Sequence, residues 1–136
     1  MDFSYPKNEK LKSRKTIDLL FTEGKTVSKF PLRLVYMETT FEDNVPLKIG
    51  VSVSKKHFKH AVDRNYFKRV LRECYRLNKH ILTENTTKNF AILFFYQTKD
   101  RLSYQEISEK TIQLFEKFIK TIQDDPSPKS EQAQQK

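Results

Sequence analysis

The sequence predicts an α+β fold, a two-layer α/β domain in which helices pack on one sheet. Three kinds of pattern point to it: apolar stripes of helical period near both ends, short strand-like stretches between them, and one long amphipathic segment. The elements read in the order helix, strands, helix, strand, helix. A length of 136 residues fits one domain.

The first half of the chain predicts a short helix followed by two strands. Ser13 is a typical helix cap, and the helix that it starts should end near Gly24. Residues 32–36 are strand-like, and residues 47–54 alternate apolar and polar side chains with the period of a half-buried strand. We expect these two strands to form an antiparallel hairpin, joined by the polar connection 41–46.

The second half predicts a buried strand and a final helix. Residues 90–96 are continuously apolar or aromatic, which is typical of a strand buried on both faces. Ser103 begins a helix with an apolar stripe. We therefore expect a flexible N-terminal arm over 1–12, a single α/β domain over 13–123 and a disordered tail over 124–136.

The charge and composition of the chain restrict the classes of function that it could have. The net charge of +9 is concentrated in residues 55–80, which hold nine Lys or Arg side chains against Asp63 and Glu73. Such a patch on a small domain is typical of a protein that binds a polyanion. A single cysteine excludes a disulfide framework and fits a reducing cytoplasm, and two glycines leave no glycine-rich phosphate loop. No apolar run is long enough to cross a membrane.

The basic segment forms a two-sided helix when it is placed on a helical wheel. One side is an apolar stripe made of Phe67, Val70, Leu71, Cys74 and Leu77. The opposite side is almost purely cationic, with Arg64, Lys68, Arg69, Arg72, Arg76 and Lys79. Exposed helix faces normally mix charges of both signs, and like charges four residues apart repel. A row of phosphates is the natural counter-charge, so the pattern favours a nucleic-acid interface.

The sequence shows no set of side chains that would form an active site. The neighbouring acids Glu42-Asp43 and Asp124-Asp125 have no second carboxylate group at a useful spacing. His57 and His60 lack a third metal ligand, and hydrogen bonds to RNA suit them better. We expect no catalytic residue and no metal site in this chain.

Two motifs carry a resemblance to a known family. Residues 50–56 read GVSVSKK, and residues 64–76 read RNYFKRVLRECYR. This combination resembles the bacterial ribonuclease P protein family, in which a G-[LV]-S-V-S-K-K strand end leads into an R-N-R-x-K-R-x-x-R helix. The resemblance covers roughly residues 10–122. Tyr66 replaces the third residue of the R-N-R motif, Asp63 precedes the motif, and Ile17 stands where relatives often have Phe.

The resemblance implies an α-β-β-β-α-β-α fold, similar to domain 2 of ribosomal protein S5, with a left-handed β-α-β crossover. It implies a partner, the catalytic RNA subunit of ribonuclease P, and joint hydrolytic removal of the 5′ leader from precursor tRNA. The RNA would hold the Mg²⁺ ions, so the protein alone would bind no cofactor. No membrane and no obligate protein partner are expected, and the location expected is the cytoplasm.

The resemblance also assigns residues to two surfaces. Contacts to the ribonuclease P RNA are expected from the basic segment, at Lys55, Lys56, Lys59, Arg64, Asn65, Lys68, Arg69, Arg72 and Arg76. Single-stranded RNA binding requires aromatic faces with cations nearby, and the leader cleft between the first helix and the sheet is expected to use Lys15, Phe21, Lys25, Arg33 and Tyr36.

Two other classes of protein fit the charge pattern. A structural RNA-binding protein of the ribosomal type would share the basic helix and have no role in tRNA processing. A module that binds an acidic protein would keep its partner after nuclease treatment.

Overall fold

The computed structural model describes residues 5–41 and 45–124, which form a four-stranded sheet and three α-helices. The order along the chain is α1 (Arg14–Glu23), β1 (Lys25–Lys29), β2 (Leu32–Glu38), β3 (Leu47–Val53), α2 (Ala61–Thr83), β4 (Phe90–Tyr96) and α3 (Tyr104–Asp124). The α+β class predicted from the sequence is confirmed. Part of the connection 41–46 and the predicted tail from 125 onward lie outside the described residues.

Capping side chains set the starts of α1 and α3. The Ser13 hydroxyl accepts a hydrogen bond from the Thr16 amide (3.3 Å), as the sequence predicts. At α3 the Ser103 hydroxyl accepts from the Glu106 amide, and the Glu106 carboxylate accepts from the Ser103 amide (both 3.1 Å). This reciprocal pair is a capping box, which satisfies two backbone donors that the helix leaves free.

The strands lie in the order β1-β2-β4-β3. Strand β2 pairs antiparallel with both β1 and β4, and β3 pairs parallel with β4. The predicted hairpin between residues 32–36 and 47–54 is therefore wrong, because β4 lies between these two strands. Strand β2 forms its hairpin with β1 instead, a polar edge strand in which only Val27 is buried. A parallel pair needs a long crossover, and α2 supplies it between β3 and β4.

The sheet buries side chains on both faces. Strand β4 is central, and its residues alternate between the two sides. Helices α2 and α3 pack on one face, here called the helix-pair face, over a core that includes Leu34, Ile92 and Phe94. The shorter α1 packs across β2 and β4 on the other face, here called the α1 face, where Leu20 meets Val35 and Leu93.

Residues 5–12, which the sequence assigned to a flexible arm, pack against the domain. The Leu11 amide donates to the Ile49 carbonyl oxygen (3.1 Å), and Lys10 forms an isolated parallel bridge with Ile49. The Tyr5 hydroxyl donates to the same carbonyl oxygen. This segment thereby covers the open edge of β3, which would otherwise expose unpaired backbone groups.

Candidate nucleic-acid interface

A tight loop between β3 and α2 presents three lysines. Phe58 anchors the loop, because its buried ring stacks on Phe67 of α2 at 4.8 Å between centroids. The amides of His57 and Phe58 both donate to the Ser54 carbonyl oxygen (3.1 Å). Lys55, Lys56 and Lys59 remain exposed around this anchor. The loop is fixed by its apolar residue and its backbone, so its cations are held together in front of α2.

Helix α2 places its apolar stripe in the core as predicted, with Phe67, Leu71 and Cys74 fully buried. On the opposite side Arg69 and Arg72 are exposed and Lys68 is half-buried. None of these three cations forms an ion pair within the described part of the chain. We call Lys68, Arg69 and Arg72, together with the three loop lysines, the basic face.

Two further predicted cations are already engaged within the protein. The Arg64 guanidinium donates to the carbonyl oxygens of Phe58 (2.9 Å) and Lys59 (2.7 Å), so it pins the loop to the start of α2. Arg76 makes a two-bond contact with Glu73, and this contact lowers the pKa of the Glu73 carboxyl and raises the pKa of Arg76. Asn65 is exposed beside them.

Lys79 was expected on the cationic side, but it is buried. Only 4% of it is exposed, and its ammonium donates to both carboxylate oxygens of Glu9 (3.0 and 3.2 Å). The Tyr75 hydroxyl donates to the same carboxylate (2.9 Å). The prediction is wrong because the N-terminal segment brings its carboxylate onto this side of α2.

Asp63, which departs from the family motif, has a partner of its own. The Arg101 guanidinium donates to the Asp63 carboxylate at 3.0 Å and lies 5.3 Å from the centre of the Phe67 ring. Asp63 therefore links the first turn of α2 to the loop before α3. Tyr66, the other departure, is partly exposed and packs edge-on against Phe67.

The α1 face carries an uncovered row of side chains at one end of the sheet. Strand register places Arg33, Phe95 and Ser52 side by side on β2, β4 and β3. The Arg33 guanidinium lies 5.2 Å from the centre of the Phe95 ring, and Phe21 of α1 meets that ring edge-on at 6.3 Å. We call the surface formed by Phe21, Arg33, Phe95 and Ser52 the cleft.

The cleft contains two of the five residues predicted for it. Phe21 is 61% exposed although it follows the buried Leu20 of the same helix, and Arg33 lies on the floor of the cleft. The Arg33 Nε atom is buried, with no hydrogen-bond acceptor within residues 5–41 and 45–124.

The other three predicted residues lie elsewhere. Tyr36 is 5% exposed and packs against Phe118 on the helix-pair face, and Lys25 is directly opposite it on β1, hence on the same face. Lys15 is on α1 but about 120° around the helix from Phe21. Tyr36 lies outside the cleft because residues three apart on a strand point to opposite faces of the sheet, and Arg33 faces the cleft.

Sequence reasoning missed Phe95 and Ser52 as cleft residues. Phe95 read as one more member of a buried strand, and only its pairing with Arg33 brings it to the open end of the α1 face. Ser52 belongs to the GVSVSKK motif and lies three residues before Lys55, the first of the loop lysines. The end of the cleft at Ser52 is therefore close along the chain to the start of the basic face.

No cluster of three or more His, Cys, Asp or Glu side chains in the described ranges is arranged to hold a metal ion. Cys74 is buried against α3, and burial raises the pKa of its thiol to about 11, which suits a structural residue. Among the described helices, none combines the length and apolar character that a membrane span requires.

Comparison with known proteins agrees with this architecture. The family model described as Ribonuclease P matches residues 5–119. The ribonuclease P protein component of Porphyromonas gingivalis strain ATCC 33277 is 37% identical over 113 residues, covering 82% of each chain. That of Dictyoglomus thermophilum is 33% identical over 115 residues, covering 85% of this chain and 92% of its own.

Solved structures show the same fold. The RNase P protein from Thermotoga maritima superposes with a TM-score of 0.65 at 25% identity, covering 80% of this chain and 96% of its own. The Staphylococcus aureus RNase P protein also has a TM-score of 0.65, at 18% identity and with 81% and 94% coverage. A family model over most of the chain, supported by these relatives, leads to one conclusion: the chain belongs to the ribonuclease P protein family, the protein components of an endoribonuclease that matures tRNA.

Proposed function

We propose that the basic face binds the ribonuclease P RNA and that the cleft binds the single-stranded 5′ leader of precursor tRNA. Partnership with the ribonuclease P RNA follows from the family; the assignment of residues and the leader contact are our proposals. The observation that carries them is the unpaired charge of Lys68, Arg69 and Arg72 on a helix whose other side is core.

Phosphate binding explains the charge pattern of the basic face better than exposure to solvent alone. Each phosphate that a cation neutralises releases a condensed counterion, which favours binding, and Arg adds two-point hydrogen bonding. Arg69 and Arg72 are free to form such bonds because no carboxylate within the described residues holds them. Arg64 contributes by shaping the loop, since its Nη1 atom donates to two backbone carbonyl oxygens of that loop.

The cleft suits one strand with unstacked bases. Phe21 offers an exposed aromatic face, and Arg33 stacks on Phe95 beside it, so a base can lie on a ring while a phosphate meets the guanidinium. The loop lysines follow Ser52 along the chain, so a leader in the cleft would enter the positive field of the basic face.

The resemblance assigns hydrolysis and the Mg²⁺ ions to the RNA, and we keep that assignment. On this proposal the protein holds the substrate strand against the RNA and supplies no reacting group. We place the assembly in the cytoplasm, where the free thiol of Cys74 is in keeping with a reducing environment. A ribosomal-type role is not favoured, given the family.

The test compares two arginines of α2 that differ in engagement. Arg72→Ala should lower the salt dependence of binding to ribonuclease P RNA by about 0.7 to 0.9 units of log K per log salt, the value of one phosphate contact. Arg76→Ala should lower it less, because Arg76 is already held by Glu73. Equal slopes for wild type and Arg72→Ala would remove this side of α2 from the interface.

A further inference from the structure

A cavity of about 420 Å³ opens at the start of α1, apart from the cleft and the basic face. Four lysines line it: Lys7, Lys10, Lys12 and Lys48. The Thr16 side chain and the Phe41 ring complete the wall, and Lys48 lies 5.3 Å from the centre of that ring. We call this the lysine cavity.

The segment that carries three of these lysines is held in place by its neighbours. Leu11 is buried and hydrogen-bonded to Ile49, so Lys10 and Lys12 project from a fixed backbone on either side of it. The carbonyl oxygen of Lys7 accepts a hydrogen bond from the Lys10 amide, which closes the short 3-10 turn Lys7–Glu9. The backbone that carries these charges is thus ordered before any ligand arrives, which reduces the entropy lost on binding.

The acid nearest in sequence to Lys7, Lys10 and Lys12 is committed elsewhere. Glu9 is the only acidic residue between Tyr5 and Thr16 in the sequence. Its carboxylate accepts hydrogen bonds from Lys79 and Tyr75 of α2. Lys7, Lys10 and Lys12 make no ion pair within the described residues. The Lys10 ammonium lies over the Tyr5 ring, 5.4 Å from its centre.

The lysine cavity is separate from the cleft although both lie on the α1 face. Lys48 and Ser52 are four residues apart on β3, about 13 Å along the strand. Between them Leu11 passes over Gly50, with its Cβ 3.6 Å from where a Gly50 side chain would begin. A ligand in the cavity therefore makes contacts that the cleft does not share.

We propose that the lysine cavity binds backbone phosphates of RNA, as a third contact that neither the basic face nor the cleft provides. Compact ammonium groups suit phosphates as point charges, and several of them converge here without carboxylate partners. The proposal rests on the proposed function, since that supplies the RNA. The strand comes from one of two sources, the ribonuclease P RNA or a part of the leader beyond the cleft.

The experiment uses the full chain with two triple variants of equal charge loss. Lys7→Ala/Lys10→Ala/Lys12→Ala removes the three cavity lysines that precede α1, and Lys99→Ala/Lys110→Ala/Lys120→Ala removes three lysines from the α3 side as the control. Melting curves establish that both variants are folded. Binding is then measured against salt for ribonuclease P RNA, and for precursor tRNA with a short or a long leader on the reconstituted holoenzyme.

The cavity variant should lower the salt slope by about two units or more relative to the control, since each lost phosphate contact removes 0.7 to 0.9. A reduced salt slope with ribonuclease P RNA alone identifies that RNA as the source of the bound phosphates. A reduced slope only with the long leader identifies the leader as their source. Equal slopes for the two variants in every arm would overturn the proposal. Because Arg72→Ala is measured in parallel, failure of the cavity alone is distinguishable from failure of the proposed function.

Discussion

The ammonium of Lys79 lies 3.0 Å from the carboxylate of Glu9, and both side chains are largely withdrawn from solvent, with 5% and 17% exposed. This pair joins the segment before α1 to the C-terminal part of α2. It also removes Lys79 from the basic face and directs Glu9 away from the lysine cavity. One contact between residues 70 apart thus shapes the charge on two surfaces.

Breaking this pair should destabilise the protein. Glu9→Ala removes the carboxylate that accepts hydrogen bonds from the buried Lys79 ammonium and from the Tyr75 hydroxyl, which is expected to cost about 3 kcal/mol. Glu23→Ala, an exposed acid of α1, should change the free energy of unfolding by less than about 0.5 kcal/mol. Urea unfolding measures both, and a Glu9→Ala variant as stable as Glu23→Ala would contradict the buried ion pair.

Phe21 and Tyr36 should separate function from stability. Phe21→Ala should weaken leader binding roughly tenfold or more, the effect of losing one base stack, with little change in melting temperature because the ring is exposed. Tyr36→Ala should instead cost about 3 to 5 kcal/mol of stability by opening a core cavity. Precursor binding and thermal melting of both variants check this, and a large stability loss in Phe21→Ala would place that ring in the core.

The two glycines should differ in their tolerance of a methyl group. A Cβ on Gly24 would lie 2.5 Å from the Leu20 carbonyl oxygen and 2.8 Å from a Val35 methyl, so Gly24→Ala forces α1 off the sheet. We expect a loss of about 1 to 3 kcal/mol. At Gly50 the nearest atom is a Leu93 methyl at 3.2 Å, which can yield. Gly50→Ala should therefore be the milder change in urea unfolding, and the reverse order would contradict the packing of α1.

Stability should fall at alkaline pH. Burial raises the pKa of the Cys74 thiol from 9.0 to about 11 and that of Tyr5 from 10.0 to about 12. As pH rises, the unfolded chain loses these protons before the folded protein does. The free energy of unfolding is therefore unaffected by these two groups below pH 9, and it falls as pH rises toward 11 and 12. Urea unfolding between pH 8 and pH 11 measures the slope. Cys74→Ala should flatten it over pH 9 to 11, and an unchanged slope would show that the thiol is not the source.

The sequence predicted α2 well because its two sides are set by local periodicity. The apolar stripe needs only the 3.6-residue repeat, so Phe67, Leu71 and Cys74 are buried as expected. Partners far along the chain carry no such signal. Nothing in residues 64–79 indicates that Glu9 neutralises Lys79, or that Arg64 turns back to the carbonyl oxygens of its own loop.

The sheet was harder to predict because pairing depends on competition between strands. Strand β1 is too polar to be read as a strand, and its absence left β2 with the wrong partner. The predicted set of cleft residues was incomplete for the same reason, because Phe95 reaches the cleft through its register with Arg33. The alternation of side chains along a strand is enough to exclude Tyr36 from the face that carries Arg33, because the two residues are three apart.

The most direct test of the account is cleavage of a 5′-extended precursor tRNA at low Mg²⁺ concentration. The reaction is run with a bacterial ribonuclease P RNA, with and without this protein, and beside it the protein alone. We predict that the protein restores cleavage only when the RNA is present. No restoration with the RNA from the same source, or cleavage by the protein alone, would contradict the assignment of this chain as the strand-holding partner of a catalytic RNA.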